Sequence, residues 1–347
     1  MAGIFEFRRL IITQIIALLV AMRGLGPAQN YRRFFIYLMV LVIIISLFLF
    51  WDLFFDRWLL KSDMLFKPEY YVNRKHGRFG SFFLNPNFLG AFVVLVFPFA
   101  FVLTLKECGG WRLLAWTGLL ALVFCLVETQ SRGPLLAFGI ALLLLIIGPA
   151  EGISRARRLY FLILFVMAFT LFMPGFFQHA TTRFATLDQE QTEEESSRKA
   201  IWNYARRIIA DHPLMGIGFG EQQFLKAMNA YGYAEEYGQT FDNPHNSYLQ
   251  IMAFAGIPVL IVFLCANLVL LTKAVRVSLR GIADKNASTV FGLAIGIIGF
   301  LTCIYPDMHL FAQSVAPVYW VFFGLLLSLV TQRPEANPAI DEIKPQV

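Results

Sequence analysis

Charge is scarce in this chain: Asp, Glu, Lys and Arg make up 15% of its 347 residues, against about 25% in an ordinary soluble protein. Cysteine is scarcer. Cys108, Cys125, Cys265 and Cys303 all lie in or beside apolar runs, with no Cys-x-x-Cys pair, which argues against a disulfide framework and against a thiolate metal site. Hydrophilic stretches long enough to hold structure of their own are lacking everywhere but in one place. Against these shortages stand 58% hydrophobic residues and 36 phenylalanines. That excess excludes disorder, coiled coil, collagen and a water-soluble fold of normal composition. The net charge of +6, from 29 basic and 23 acidic residues, marks cytoplasmic loops and anionic ligands in a membrane protein rather than nucleic acid.

A helix that crosses the bilayer needs about 20 mostly apolar residues. Eight segments meet this test: 34–55, 82–105, 111–127, 133–149, 159–177, 246–272, 287–305 and 312–331. A ninth run, Leu10 to Met22, follows Arg8 and Arg9 and reads as a secretory segment, an interfacial helix or a short span. No small-residue cleavage site follows it, which favours an uncleaved segment. The expected fold is an all-α polytopic membrane protein of eight to nine transmembrane helices with one large periplasmic loop. Its divisions are 1–177 (N-terminal helices), 178–245 (extracytoplasmic loop), 246–331 (C-terminal helices) and 332–347 (cytoplasmic tail).

Orientation follows from basic residues in short loops. Arg155, Arg157 and Arg158 in one loop, and Lys273, Arg276, Arg280 and Lys285 in another, read as cytoplasmic. Helix counting then puts 128–132, 178–245 and 306–311 on the other face. The 56–80 loop disagrees, carrying Arg57, Lys61, Lys67, Arg74, Lys75 and Arg78 on the face that should be poor in them. Either the count is off by one there, or the loop keeps its charge for a ligand.

The 178–245 stretch is too long to be a mere connection. Asp188 to Glu195 is acidic and reads as flexible; Ser196 or Ser197 then caps a helix ending near Asp211, stopped by His212-Pro213. Gly216 to Gly220 alternates glycine, which fits a packing turn better than a ligand loop, and it is no dinucleotide fingerprint. Asp242-Asn243-Pro244-His245-Asn246 leads into the next span and puts His245 at its mouth. A second polar knot, Glu128 to Pro134, holds Arg132 at the membrane boundary, and a third combines Arg78 to Ser81 with Asn85-Pro86-Asn87. Polar groups at that depth are costly unless they line a cavity or bind something.

Together these residues resemble the O-antigen ligase and polymerase superfamily. The order is Asn85-Pro86-Asn87, Ser131-Arg132-Gly133, Arg198 with Trp202, Pro213-Leu214 with Gly216 to Gly220, and His245-Asn246 ahead of Gly256-Ile257-Pro258. Arg132 with Leu136 fits the family's Arg-x3-Leu pattern, and His245-Asn246 followed nine residues later by Gly256 fits His-Asn-x9-Gly. The resemblance spans about residues 78–260; family members usually carry more helices ahead of the Asn-Pro-Asn segment. It implies a GT-C-like inner-membrane glycosyltransferase of surface polysaccharide biosynthesis. The donor would be a glycan on a polyprenyl (undecaprenyl) diphosphate. The acceptor hydroxyl would belong to lipid A core in lipopolysaccharide assembly, to another repeat unit in a polymerase, or to a protein Ser or Thr.

The residues carry chemistry that suits this. A sugar–diphosphate bond breaks with negative charge growing on the leaving group, and a guanidinium binds phosphate oxygens bidentately. Arg132 and Arg198 are the candidates for holding the diphosphate. An acceptor hydroxyl must lose a proton, and histidine exchanges protons near neutral pH, so His245 is the candidate base. Asn246 is expected to orient that ring or bind a sugar, and Asp242 to fix its tautomer. Trp202, Arg78 and Asn87 complete the candidate substrate-binding set, and Asp307 and His309 are candidates for lining the acceptor path. No cofactor is expected and no metal-ligand spacing stands out. Displacement by the acceptor hydroxyl, with no covalent intermediate, predicts inversion. Blander roles compete: a helix-capping histidine for His245, a lipid-snorkelling arginine for Arg132, solvated charge for Arg198, an interfacial anchor for Trp202. A transporter is a rival of another class, though its substrate would need polar sites inside the spans.

Overall fold

The computed structural model describes residues 11–25, 28–54, 78–83, 85–106, 110–149, 153–172, 187–279 and 286–332. Arg57, Lys61, Lys67, Arg74, Lys75, Cys108, Arg280, Lys285 and the tail after Gln332 lie outside those residues. Among the described residues the chain is all-α, with thirteen helices: α1 (Thr13–Gly24), α2 (Ala28–Phe54), α3 (Pro86–Lys106), α4 (Arg112–Thr129), α5 (Arg132–Ile147), α6 (Arg155–Phe172), α7 (Leu187–Asp211), α8 (Glu221–Ala230), α9 (Tyr233–Tyr237), α10 (Ser247–Ala255), α11 (Ile257–Leu279), α12 (Ala287–Cys303) and α13 (Ala316–Thr331). Four of these, α2, α3, α4 and α11, are long and apolar enough to cross a membrane, and α1, α5, α12 and α13 are shorter apolar helices. The chain is a polytopic membrane protein.

Helix α3 is the axis of the bundle. Every residue from Leu89 to Leu105 is buried, which explains why this segment is apolar all round rather than striped. Asn85 begins it, its side-chain oxygen accepting the Asn87 N–H at 2.8 Å, and Pro86 occupies the first turn, where a missing N–H costs nothing. Against α3 runs α12, antiparallel. Gly292, Gly296 and Gly299 of α12 share one face, and that face lies on α3: a Cβ on Gly292 would come 2.9 Å from the Pro98 carbonyl and one on Gly296 would overlap the Leu95 carbonyl, while one on Gly299 would come 2.6 Å from the Val94 side chain. Without a hydrophobic drive between helices in lipid, such small-residue seams let backbones approach and gain dispersion contact. The seam sets the mouth of α3 beside the end of α12.

At the opposite end, the basic residues expected in a loop lie in the first turn of α6, and two of them cap other helices. Arg157 donates to the Leu105 carbonyl at 2.9 Å, and Arg158 to the Leu145 and Gly148 carbonyls. Cations there satisfy terminal carbonyls and oppose the negative ends of the α3 and α5 dipoles. The loop basics expected to mark one face thus hold that end of the bundle together.

Two sequence expectations change. The segment 246–272 is not one helix, because the chain turns at Gly256 with φ +86°, and α11 continues to Leu279. The cause is the 213–217 turn, which inserts at the break: Ile257 N–H donates to the Pro213 carbonyl and Ile217 N–H to the Ala253 carbonyl, each at 2.8 Å. A Cβ on Gly256 would overlap the Leu214 carbonyl, and one on Gly216 would lie 2.6 Å from backbone atoms of 253–255. Gly216 is therefore a packing glycine. The second change is α7, which begins at Leu187 and not at Ser196 or Ser197, so the acidic stretch 188–195 is helical. Glu and Gln favour helix interiors, and acids near an N-terminus gain from the dipole.

The 187–245 segment folds on α10. Ile201, Tyr204, Ala205 and Ile208 of α7, Phe224 and Met228 of α8 and Tyr233 of α9 form one buried cluster with Leu249, Ala253 and Phe254 of α10, while Ile251 of α10 belongs to the core of the bundle. Helix α10 is shared by both cores. Gly296→Ala is expected to lower the thermal unfolding midpoint of the purified protein, at a cost of about 1–3 kcal/mol for overpacking. Gly139→Ala, which meets nothing within 4 Å, leaves the midpoint unchanged or raises it.

Candidate functional site

The seam between α3 and α12 brings Asn87 and Asp307 together. The Asn87 amide bonds through both its oxygen and its nitrogen. Its oxygen accepts from Arg78 Nη2 and from Ser131 Oγ, both at 2.6 Å, and its nitrogen donates to Asp307 Oδ2 at 2.7 Å. Arg78 also reaches the Thr129 carbonyl at 3.5 Å, and Phe79 N–H donates to the Glu128 carbonyl. One network thus joins all three polar knots of the sequence to the turn after α12.

Asp307 is the other hub. Its Oδ1 accepts the Met308 N–H at 2.8 Å and lies 3.7 Å from His245 Nδ1. Burial pushes this carboxyl towards its neutral form, but the His309 and His245 imidazoles and the Met308 N–H outweigh it, and the group is held below the ordinary carboxylate range. Asp307 is therefore ionised near neutral pH. Its backbone is fixed as well: Ser247 donates to the Asp307 carbonyl through both N–H (3.1 Å) and Oγ (2.9 Å). The head of α10 is stitched to the turn that carries its partner.

His245 sits between these elements with φ +46°, an unusual conformation for a residue with a side chain. Three contacts hold it. Asn243 Oδ1 accepts the His245 N–H at 3.0 Å, Trp202 Nε1 donates to the Pro244 carbonyl at 2.9 Å, and Asn246 Oδ1 caps α10 by accepting the Tyr248 and Leu249 N–H groups. The His245 side chain retains 34% of its exposure while that of Asp307 keeps 8%. Buried charge thus faces a ring that is open to a ligand. The ring's Nδ1 side is turned to Asp307.

The sequence candidates distribute as follows. His245, Arg78, Asn87 and Trp202 belong to one connected constellation, with Asp307 and Ser131. Arg132, exposed on the first turn of α5, follows Ser131, and a Cβ on the adjacent Gly133 would meet Pro306 at 3.1 Å, so its turn abuts the Asp307 turn. Arg198 is half-buried on α7, one helical turn before Trp202 and on the same face. Asn246 has its oxygen committed to the cap. Asp242 is exposed and accepts from the Asn243 amide, so the carboxylate beside the His245 ring is Asp307, not the Asp242 expected from proximity in sequence. His309 is 0% exposed, flanked by Phe88 and Phe300. It is enclosed, and so lines no open acceptor path.

Residues 117–264 match the family model described as O-antigen ligase. The match runs from within α4 into α11 and takes in Arg132, Arg198, Trp202 and His245. Over this stretch, less than half of the chain, the sequence is similar to O-antigen ligase domains. No curated protein matches the chain. Arg78, Asn87 and Asp307 lie outside the matched stretch.

Two expectations test the network. Asn87→Ala strips Asp307 of a buried donor and is expected to cost about 1–3 kcal/mol of stability, read as a lower unfolding midpoint. Asp307→Asn carries a pH signature. A carboxylate with a depressed folded pKa contributes stability above its unfolded pKa of roughly 3.9 and loses it on acidification through the folded value. The midpoint gap between the native chain and Asp307→Asn should therefore be widest near neutral pH and narrow as pH falls below about 4.

Proposed function

We propose that the protein is a membrane glycosyltransferase that moves a glycan from a polyprenyl diphosphate carrier to an acceptor hydroxyl, in the manner of an O-antigen ligase. The observation that carries this reading is the meeting of a partly exposed His245 ring with the buried Asp307 carboxyl, 3.7 Å apart, at the end of the bundle where the Arg132 and Arg78 turns converge. The O-antigen ligase match over 117–264 supports the substrate class.

In this reading Asp307 holds the imidazole with Nδ1 towards the carboxylate, and Nε2 accepts the proton of the acceptor hydroxyl. The acceptor oxygen bonds to the anomeric carbon as the bond to the carrier diphosphate breaks, and the electron pair departs on the phosphate oxygen. Arg132 and Arg198 stabilise that charge by bidentate contact. Direct displacement inverts the anomeric centre and needs no metal. Asn246, Asp242, Trp202, Arg78 and Asn87 are assigned to the substrate-binding surround: Arg78 adds positive charge, and Asn87 and Trp202 act chiefly by positioning Asp307 and the His245 turn.

The architecture assigned with this function is GT-C-like, with eight to nine spans grouped as 1–177 and 246–331 around a periplasmic 178–245 segment and a cytoplasmic tail at 332–347. The site then faces the periplasm from the inner membrane, where a flipped lipid-linked glycan lies. The O-antigen ligase match favours lipid A core as acceptor over a growing repeat-unit chain or a protein hydroxyl.

The test is complementation of a deletion strain with His245→Ala, Arg132→Ala or Arg198→Ala, scoring surface glycan on gels after checking that each variant reaches the membrane. His245→Ala is expected to reduce transfer by about a hundredfold or more, the usual scale for a lost general base. Full activity in the His245 and Arg132 variants would overturn the enzymatic reading. In the null strain, unlinked full-length polymer indicates a ligase and single capped units a polymerase.

A further inference from the structure

The turn that breaks the helix at Gly256 has a second property. Leu214 is 69% exposed and Met215 is 83% exposed, two large apolar side chains side by side on a turn whose backbone is pinned to α10 and α11. Pinning is tight: the Pro213 carbonyl takes the Ile257 N–H, and Gly216 and Gly256 leave no room for a Cβ against the facing backbone. The backbone of the turn is therefore held in place, with both side chains exposed and outside the cluster that Ile217 joins.

Their location follows from α11. This helix has 23 residues and only 17% of its apolar window is buried in the protein. Its outward side chains, such as Ile261 (54% exposed) and Val262 (68% exposed), are apolar, as a lipid-facing surface requires. Its apolar part ahead of the exposed Lys273 and Arg276 is 257–272, about 24 Å at 1.5 Å per residue, somewhat less than a hydrocarbon core of roughly 30 Å. With that basic end at one boundary of the hydrocarbon, Ile257, the first residue of α11, and the turn hydrogen-bonded to it fall at or just within the other. Leu214 and Met215 adjoin the start of α11, since Gly256 packs on their backbone.

We infer that the Pro213–Gly216 turn is a membrane-seated wedge: Leu214 and Met215 enter the lipid between headgroups and acyl chains and fix the height of the α7–α9 subdomain over the bilayer. The occupant of this surface is the bilayer itself. The wedge stands whether or not the chain transfers glycans, since it depends on α11 and the turn alone.

Spin labelling of the full chain in phosphatidylethanolamine–phosphatidylglycerol vesicles tests it. A label on Met215→Cys, with Cys108 and Cys265 replaced by Ala, is compared with a label on native Cys265 within α11 and with one on Gln239→Cys, an exposed position of the subdomain. The readout is the ratio of relaxation by oxygen to relaxation by a water-soluble nickel chelate. The wedge predicts a ratio at 215 above that at 239 and below that at 265, with Leu214→Cys giving the same order. A ratio at 215 equal to that at 239 puts the turn in water and overturns the inference. Exclusion of both relaxants at 215 means protein covers the turn, and overturns it equally.

Discussion

The close approach of α12 to α3 is the contact on which the rest of the molecule depends. Three glycines on one face of α12 let its backbone lie directly against Val94, Leu95 and Pro98, and the antiparallel sense of the pair places the head of α3 beside the turn that follows α12. Asn87 then reaches Asp307, and through Ser131 the α4–α5 turn is tied to the same point. A larger side chain anywhere on that seam acts at a distance, since it moves two helix ends whose side chains share one amide.

The second constraint is the division of a would-be span into α10 and α11. Because α10 shares its surface between the bundle core and the α7–α9 cluster, the polar segment is built onto the bundle and does not hang from it. Trp202 makes this coupling specific: an indole on α7 donates to the carbonyl that precedes His245, and its ring meets Tyr305 edge-on. The membrane part and the hydrophilic part therefore arrive at His245 together.

Much of this was readable from residue order. Apolar runs located the helices, Asn85-Pro86 announced the start of α3, and Arg132, Trp202 and His245 stood out as polar or aromatic residues at boundaries. What escaped was tertiary. Asp307 lies 62 positions from His245, and no local periodicity links them; the hydrogen bonds of Ser247 to the Asp307 turn do. Asp242, adjacent in sequence, was the natural partner to expect, yet at three residues' distance in an extended turn its carboxylate is taken by the neighbouring Asn243. The break at Gly256 was hidden because an apolar run looks alike whether or not a distant turn inserts into it. The glycine at 216 and the one at 256 each had a local reading, and the packing of each on the backbone beside the other had none.

Asn87 has a consequence of its own. Arg78 and Asp307 stand on either side of it, and the amide meets the cation with its oxygen and the anion with its nitrogen. It works as an insulator between opposite charges, polarised by both and neutralising neither. Had the two met directly, they would have closed an ion pair and spent each other's field. Kept apart, the carboxylate stays beside the His245 imidazole and the guanidinium on the other side of the amide, so one neutral side chain separates opposite charges at the mouth of the bundle.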